Sequence, residues 1–154
     1  MKPFKLERYF ARYEFSSRYL LSASDCESIS LAELLQMAAP ETLEAWNGLR
    51  LGYTESQGHP ELRAEVASLY QRLSSDQIVI AAPEEAIFIA MQTLLEPGDE
   101  VVAVSPAYQS LHEIAASLGC SLRRWRFELE GARWQLDVED LERAITRKTR
   151  LVVV

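Results

Sequence analysis

Between residues 77 and 154 the apolar positions switch repeatedly between a period of two and a period near 3.6, and the elements follow from that switching. Ile78-Val79-Ile80-Ala81 is a short β-rich run and predicts a strand over 77–81. Pro83 suits the first position of a helix, and Ile87, Ala90, Met91, Leu94 and Leu95 then recur at helical spacing, which predicts a helix over 83–96. Glu96-Pro97-Gly98-Asp99 stops it. Val101-Val102-Ala103-Val104 is apolar at every position, as a parallel strand buried on both faces requires, and Ser105-Pro106-Ala107-Tyr108 leaves its carboxyl end. A helix over 109–118, strands over 121–127 and 150–154, and a helix over 138–145 continue the alternation. The fold class is therefore α/β: a mostly parallel sheet with right-handed crossovers and helices on its faces.

Upstream the pattern is weaker. Residues 1–28 form an arm rich in aromatics and charge, in which Phe4, Tyr9, Phe10, Tyr13, Phe15 and Tyr19 keep no sustained period. Ser28 or Ser30 is placed to cap a helix through Leu31, Leu34, Leu35 and Ala38, which Pro40 ends, and Glu41 to Trp46 is a further helical piece. Leu62, Val66, Leu69, Tyr70 and Leu73 predict a helix from about Pro60 to Leu73, with Ser74-Ser75-Asp76 as the loop into the first strand.

Composition narrows the function classes. The 154 residues are 48% hydrophobic and 25% charged, ordinary for a globular domain with a core of its own, and the formal net charge is −7. That sign offers no field for a nucleic acid or an anionic membrane, and no apolar run approaches the length of a membrane span. Arg123, Arg124 and Arg126 are the local exception and read as a solvated strand edge. Cys26 and Cys120 are the only cysteines and neither has a ligand-spaced partner, so a structural metal is unsupported and a reducing, cytoplasmic setting is the expectation. His59 lies in a Gly-His-Pro turn and His112 on the polar side of a helix, and neither asks for a chemical role.

Chemistry enters at the strand end. In an open α/β sheet ligands sit beyond the carboxyl ends of the strands. A flat aromatic there, beside a helix N-terminus, is suited to stack a planar heterocycle while the helix start holds a phosphate. The string EEAIFIAMQTLLEPGDEVVAVSPAY, Glu84 to Tyr108, resembles the cofactor-domain segment of the class I/II pyridoxal-phosphate aminotransferases: a helix of this pattern, PGDEV, a strand and Pro-x-Tyr. Leu51-Gly52-Tyr53 through Gly58-His59-Pro60-Glu61-Leu62-Arg63 is similar to the family's Tyr-x-x-x-x-Gly-x-x-x-Leu-Arg block. Thr149 to Val154 looks like the strand that precedes its Asn-Pro-x-Gly loop.

The resemblance implies the N-terminal part of the large, cofactor-binding domain of a fold type I enzyme, with residues 1–28 as an arm and 29–154 as the domain, incomplete at Val154. It implies pyridoxal 5'-phosphate as cofactor, an amino acid and a 2-oxo acid as substrates, and a homodimer. Tyr108 would stack on the pyridine ring, and Tyr53 would reach the phosphate bound by the neighbouring subunit. The phosphate turn maps onto Ala82, Pro83 and Glu84. Here the pattern is altered, because Pro83 has no N–H and the Glu84 carboxylate repels a dianion unless it points away; the turn either binds phosphate or only stabilises the helix start. The arm either crosses to a partner subunit or clasps the small domain, or is a frayed terminus with one short helix. Arg63 reads as a structural ion-pair former.

Transamination also needs a lysine that holds the cofactor aldehyde and shuttles a proton. The lysines are Lys2, Lys5 and Lys148, two in the arm and one in a polar turn at the wrong end of the sheet, so the 154 residues are expected to have no turnover. Two other readings stand beside this one: a non-catalytic α/β module binding a ligand or a protein at the same edge, and a lyase, decarboxylase or synthase relative with the same cofactor. A sheet whose exposed apolar edge another chain completes is a further possibility.

Overall fold

The computed structural model describes residues 2–22 and 26–154, so that residues 1 and 23–25 of the expected arm lie outside the described part. The chain forms two compact units. One contains Ala81–Val154 together with the N-terminal residues up to Ser16, and the other is Ser17–Ile80.

The first unit is built on a three-stranded parallel sheet: β1 (Glu100–Ser105) in the centre, β2 (Ser121–Arg126) on one side and β5 (Thr149–Val153) on the other. A short antiparallel hairpin, β3 (Glu128–Glu130) and β4 (Arg133–Gln135), follows β2. As its uniformly apolar sequence requires, β1 is buried on both faces: Val101 and Val102 are fully enclosed. Helices α5 (Pro83–Leu94) and α6 (Ser110–Ser117) cover one face, where Met91, Leu95, Val101, Ile114, Ala115 and Cys120 form the core and Leu122, Leu151 and Val153 pack against it. Side chains alternate along a strand, so with Leu122 on that face Trp125 lies on the other. There its indole N–H donates to the Asp137 carbonyl (2.7 Å) at the start of α7 (Val138–Ala144). One helix layer therefore lies on each face.

The turn between α5 and β1 is closed by its own residues. Glu96 N–H donates to the Asp99 carboxylate (2.8 Å), Gly98 takes the positive φ of 96°, and the Asp99 carbonyl accepts from Ser121 at the start of β2 (2.7 Å). At the same end Glu100 is buried and accepts from Arg123 Nε (2.7 Å), Thr146 Oγ1 (2.7 Å) and Thr149 Oγ1 (2.8 Å), tying all three strands together.

The N-terminal residues of this unit form α1 (Lys5–Tyr13), the short helix that one reading of the arm expected. It packs on the loop that leaves β1.

The second unit holds α2 (Leu31–Gln36), α3 (Pro40–Asn47) and α4 (Pro60–Ser68). Ser30 and Glu33 form a reciprocal cap on α2, and Pro40 opens α3. Helix α4 ends at Ser68 and does not run to Leu73. Arg63 explains the early stop: it is buried and grips the Ser75 carbonyl through Nε (3.0 Å) and Nη2 (2.8 Å), with Asp76 at 3.4 Å, so the chain must double back within twelve residues.

The strand expected over 77–81 is not formed. Residues 75–77 are a 3₁₀ turn, and the following extended residues join no sheet. Ile80 N–H instead donates to the Gln57 carbonyl (2.8 Å), and Ile80 packs so closely on Gly58 that a Cβ there would lie 2.5 Å from it, at a φ of +106°. A β-rich run of four residues was satisfied locally, without a ladder.

Candidate functional site at the carboxyl end of strand β1

Strand β1 delivers Ser105, Pro106, Ala107 and Tyr108 to the carboxyl end of the sheet, with a cis peptide bond between Ser105 and Pro106. Tyr108 is half-buried, at 37% exposure. Its hydroxyl donates to the Glu7 carboxylate, and its ring meets Phe4 in a T-shaped contact with centroids 4.6 Å apart. The hydrogen bond to Glu7 pushes the phenol up to about 12, with desolvation and the negative charges of Glu7 and Glu84 adding to it.

Beside this loop stands the first turn of α5, carrying Ala82, Pro83 and Glu84. The two are tied through α6, where the buried Ser110 hydroxyl donates to Glu84 Oε1 at 3.1 Å. Glu85 turns back on the turn and accepts from the Ala82 N–H at 3.3 Å. With Pro83 lacking an N–H, the Glu84 and Glu85 amides are the donors of this turn that meet no acceptor among the described residues. A cavity of about 220 Å³ opens between Glu84 and α6, with Phe4, Phe88 and Ile114 as apolar wall and Lys2, Gln109, Ser110 and Glu113 as polar edge, while Tyr108 lines a separate one of about 430 Å³ with Phe4, Pro106 and Gln109.

The structure thus brings Tyr108 and the Ala82-Pro83-Glu84 turn to one neighbourhood. Tyr53 belongs to the second unit and is fully exposed there. Lys148 precedes β5 at the end where Glu100 pairs with Thr149, opposite Tyr108. Lys2 lies near α6, its ammonium 3.5 Å from Glu113. Sequence reasoning missed Glu7 and Phe4 as partners of Tyr108, and Gln109 as the partner of Pro3 and Lys5, because each of these links spans about a hundred residues and no spacing rule reaches that far.

A further cavity, of about 440 Å³, lies on the β2 side among Arg123, Arg124, Arg126, Asp140 and Arg143. Arg123 is committed to Glu100, and Arg143 to Asp137, Glu139 and Asp140. Among the described residues no group of three or more His, Cys, Asp or Glu side chains is arranged to hold a metal ion, and no helix is long and apolar enough to cross a membrane.

A parallel sheet covered on both faces, with an aromatic loop at its carboxyl end beside a helix start, defines an α/β protein whose ligand edge lies at the strand ends. The chain belongs to the aminotransferase class I and II family, whose profile matches residues 19–154. Over 129 residues (77% of the chain) it is 32% identical to an aspartate aminotransferase of Sulfolobus acidocaldarius, and over 153 residues (97%) it is 34% identical to a capreomycidine synthase of Streptomyces vinaceus. It spans 32% and 39% of the length of these two relatives. The crystal structure of a PLP-dependent aminotransferase from Streptococcus suis superposes with a TM-score of 0.85 at 30% identity, over 98% of this chain and 41% of that one.

Proposed function

We propose that this chain is part of a pyridoxal-phosphate-dependent aminotransferase that moves an amino group between an amino acid and a 2-oxo acid, and that its own share of the work is to seat the cofactor. The observation that carries this reading is the placement of Tyr108 at the carboxyl end of the central strand, tied through Ser110 to the first turn of α5. The half-exposed phenol suits a planar, electron-poor ring. The Glu84 and Glu85 amides, at the positive end of the helix, suit a phosphate. Glu84 is the residue that opposes the fit, and Ser110 holds its carboxylate to the α6 side.

When bound, pyridoxal phosphate supplies an electron-withdrawing ring that lets the amino acid's α-proton leave. The chain's own residues would bind and orient it: Tyr108 would hold the ring, the Glu84 and Glu85 amides of α5 the phosphate, and Tyr53 the phosphate of a neighbouring subunit in a two-fold dimer. No lysine of the 154 residues is placed as the reactive amine, so this chain alone has no turnover. Residues 29–154 act as part of the cofactor domain, in a cytoplasmic enzyme.

Borohydride trapping tests the reading. With pyridoxal phosphate added, the chain binds the cofactor without stoichiometric reduction onto one lysine; specific trapping at Lys2, Lys5 or Lys148 contradicts it. The match to capreomycidine synthase over 97% of the chain favours a second reading, a synthase using the same cofactor. Protein expressed from the whole gene decides between them: transfer of the amino group to a 2-oxo acid supports the first reading, and consumption of an amino acid with no transfer supports the second.

A further inference from the structure

The contacts of the N-terminal residues with the β1–α6 loop serve no purpose in the reading above, yet they converge on one side chain. Gln109, next to Tyr108, clamps the backbone on both sides of Phe4: its Nε2 donates to the Pro3 carbonyl (3.0 Å) and its Oε1 accepts from the Lys5 N–H (3.0 Å). Phe4 is the N-cap of α1 and Glu7 lies three residues on, so both project from the same side of the helix start. Phe4 therefore meets the Tyr108 ring while Glu7 takes its hydroxyl. Lys2 adds an ion pair to Glu113, one turn along α6.

We infer that residues 2–9 are a strap in cis that fixes the orientation of Tyr108, with Glu7 and Gln109 as its positioning residues. A half-exposed tyrosine on a loop otherwise samples several rotamers, and an aromatic platform binds a flat ligand well only when its rotamer is locked. Here the backbone, the hydroxyl and the ring are each held from a different direction. Gln109 sets the register: its two hydrogen bonds to main chain place Phe4, and no neighbouring residue, opposite Tyr108. The strap leaves part of the ring exposed, so it positions the phenol and does not bury it. The consequence for the cofactor rests on the role proposed above for Tyr108; the strap itself does not.

Two measurements on the full chain test this. The first is ligand-free: trypsin cleavage after Lys5, Arg8 and Arg12, with ring NMR signals of Tyr108 assigned by Tyr108→Phe. Glu7→Gln and Gln109→Ala each speed cleavage by about tenfold, the scale of one hydrogen bond to a charged or doubly bonded group, with an unchanged melting temperature. In both variants the Tyr108 signals move from one locked environment to an averaged one. Equal cleavage and unaltered signals overturn the strap. The second is pyridoxal phosphate affinity, which Glu7→Gln weakens by about tenfold. Binding that Glu7→Gln leaves unchanged overturns the positioning role. A wild-type chain that shows the locked ring but binds no pyridoxal phosphate leaves the strap standing and refutes the cofactor role of Tyr108.

Discussion

The two ends of strand β1 carry opposite kinds of polar cluster. At the amino end the buried Glu100 accepts from Thr146, Arg123 and Thr149, and these three donors hold its carboxyl down to about 2. At the carboxyl end the phenol of Tyr108 faces two carboxylates, Glu7 and Glu84, and is pushed up to about 12. The first cluster is saturated and closed, with every strand of the sheet contributing. The second has two hydroxyl bonds, Tyr108 to Glu7 and Ser110 to Glu84, two amides that meet no acceptor among the described residues, and an open cavity beside it. One end is built to keep the sheet together, and the other has polar capacity left for something else.

Substitutions at the two ends should separate these roles. The largest effect is expected at the closed end. Glu100→Ala leaves Thr146, Thr149 and Arg123 without their acceptor and lowers the melting temperature more than any change at Tyr108, which differential scanning calorimetry checks. Acid titration sharpens the same point. A carboxyl whose folded pKa is about 2, against about 4.3 unfolded, contributes its full stability above the unfolded value and loses it as the pH falls toward 2. Denaturant midpoints should drop across that window in the wild type, and less steeply in Glu100→Gln. Thr149→Val, which removes one of three donors, lowers the melting temperature by about 5 °C. Tyr108→Phe, at the open end, changes stability by less than about 1 kcal/mol in chemical denaturation while removing from a spectroscopic titration the phenol pushed up to about 12. Arg124→Ala, on the exposed edge strand, stays within about 0.5 kcal/mol. Were Tyr108→Phe as destabilising as Glu100→Ala, the contrast between the ends would collapse.

The same contrast marks what sequence reading reached. The apolar run 101–104, buried through Ala103, the helix start at Pro83, the stop at Pro97-Gly98 and the aromatic at the strand end are local patterns, and each stands where its residues imply. Residues 77–81 show the limit of local pattern: Ile78 and Ile80 are β-rich, but Gly58 and Gln57 satisfy Ile80 before any strand does. The 128–135 hairpin escapes local pattern because each arm has only three residues, although Gly131, at a φ of 63°, marks its turn. The Glu100 cluster had a signal in a lone carboxylate opening an apolar strand, since a buried charge demands donors. Which donors it finds, and that Glu7 finds Tyr108, depends on packing between distant segments.

The most direct test of the cofactor role is a crystal structure of the chain with pyridoxal 5'-phosphate. The account predicts the pyridine ring against Tyr108 and the phosphate on the Glu84 and Glu85 amides at the start of α5. A phosphate seated instead among Arg124, Arg126 and their neighbours on β2, with Tyr108 bare, would contradict it.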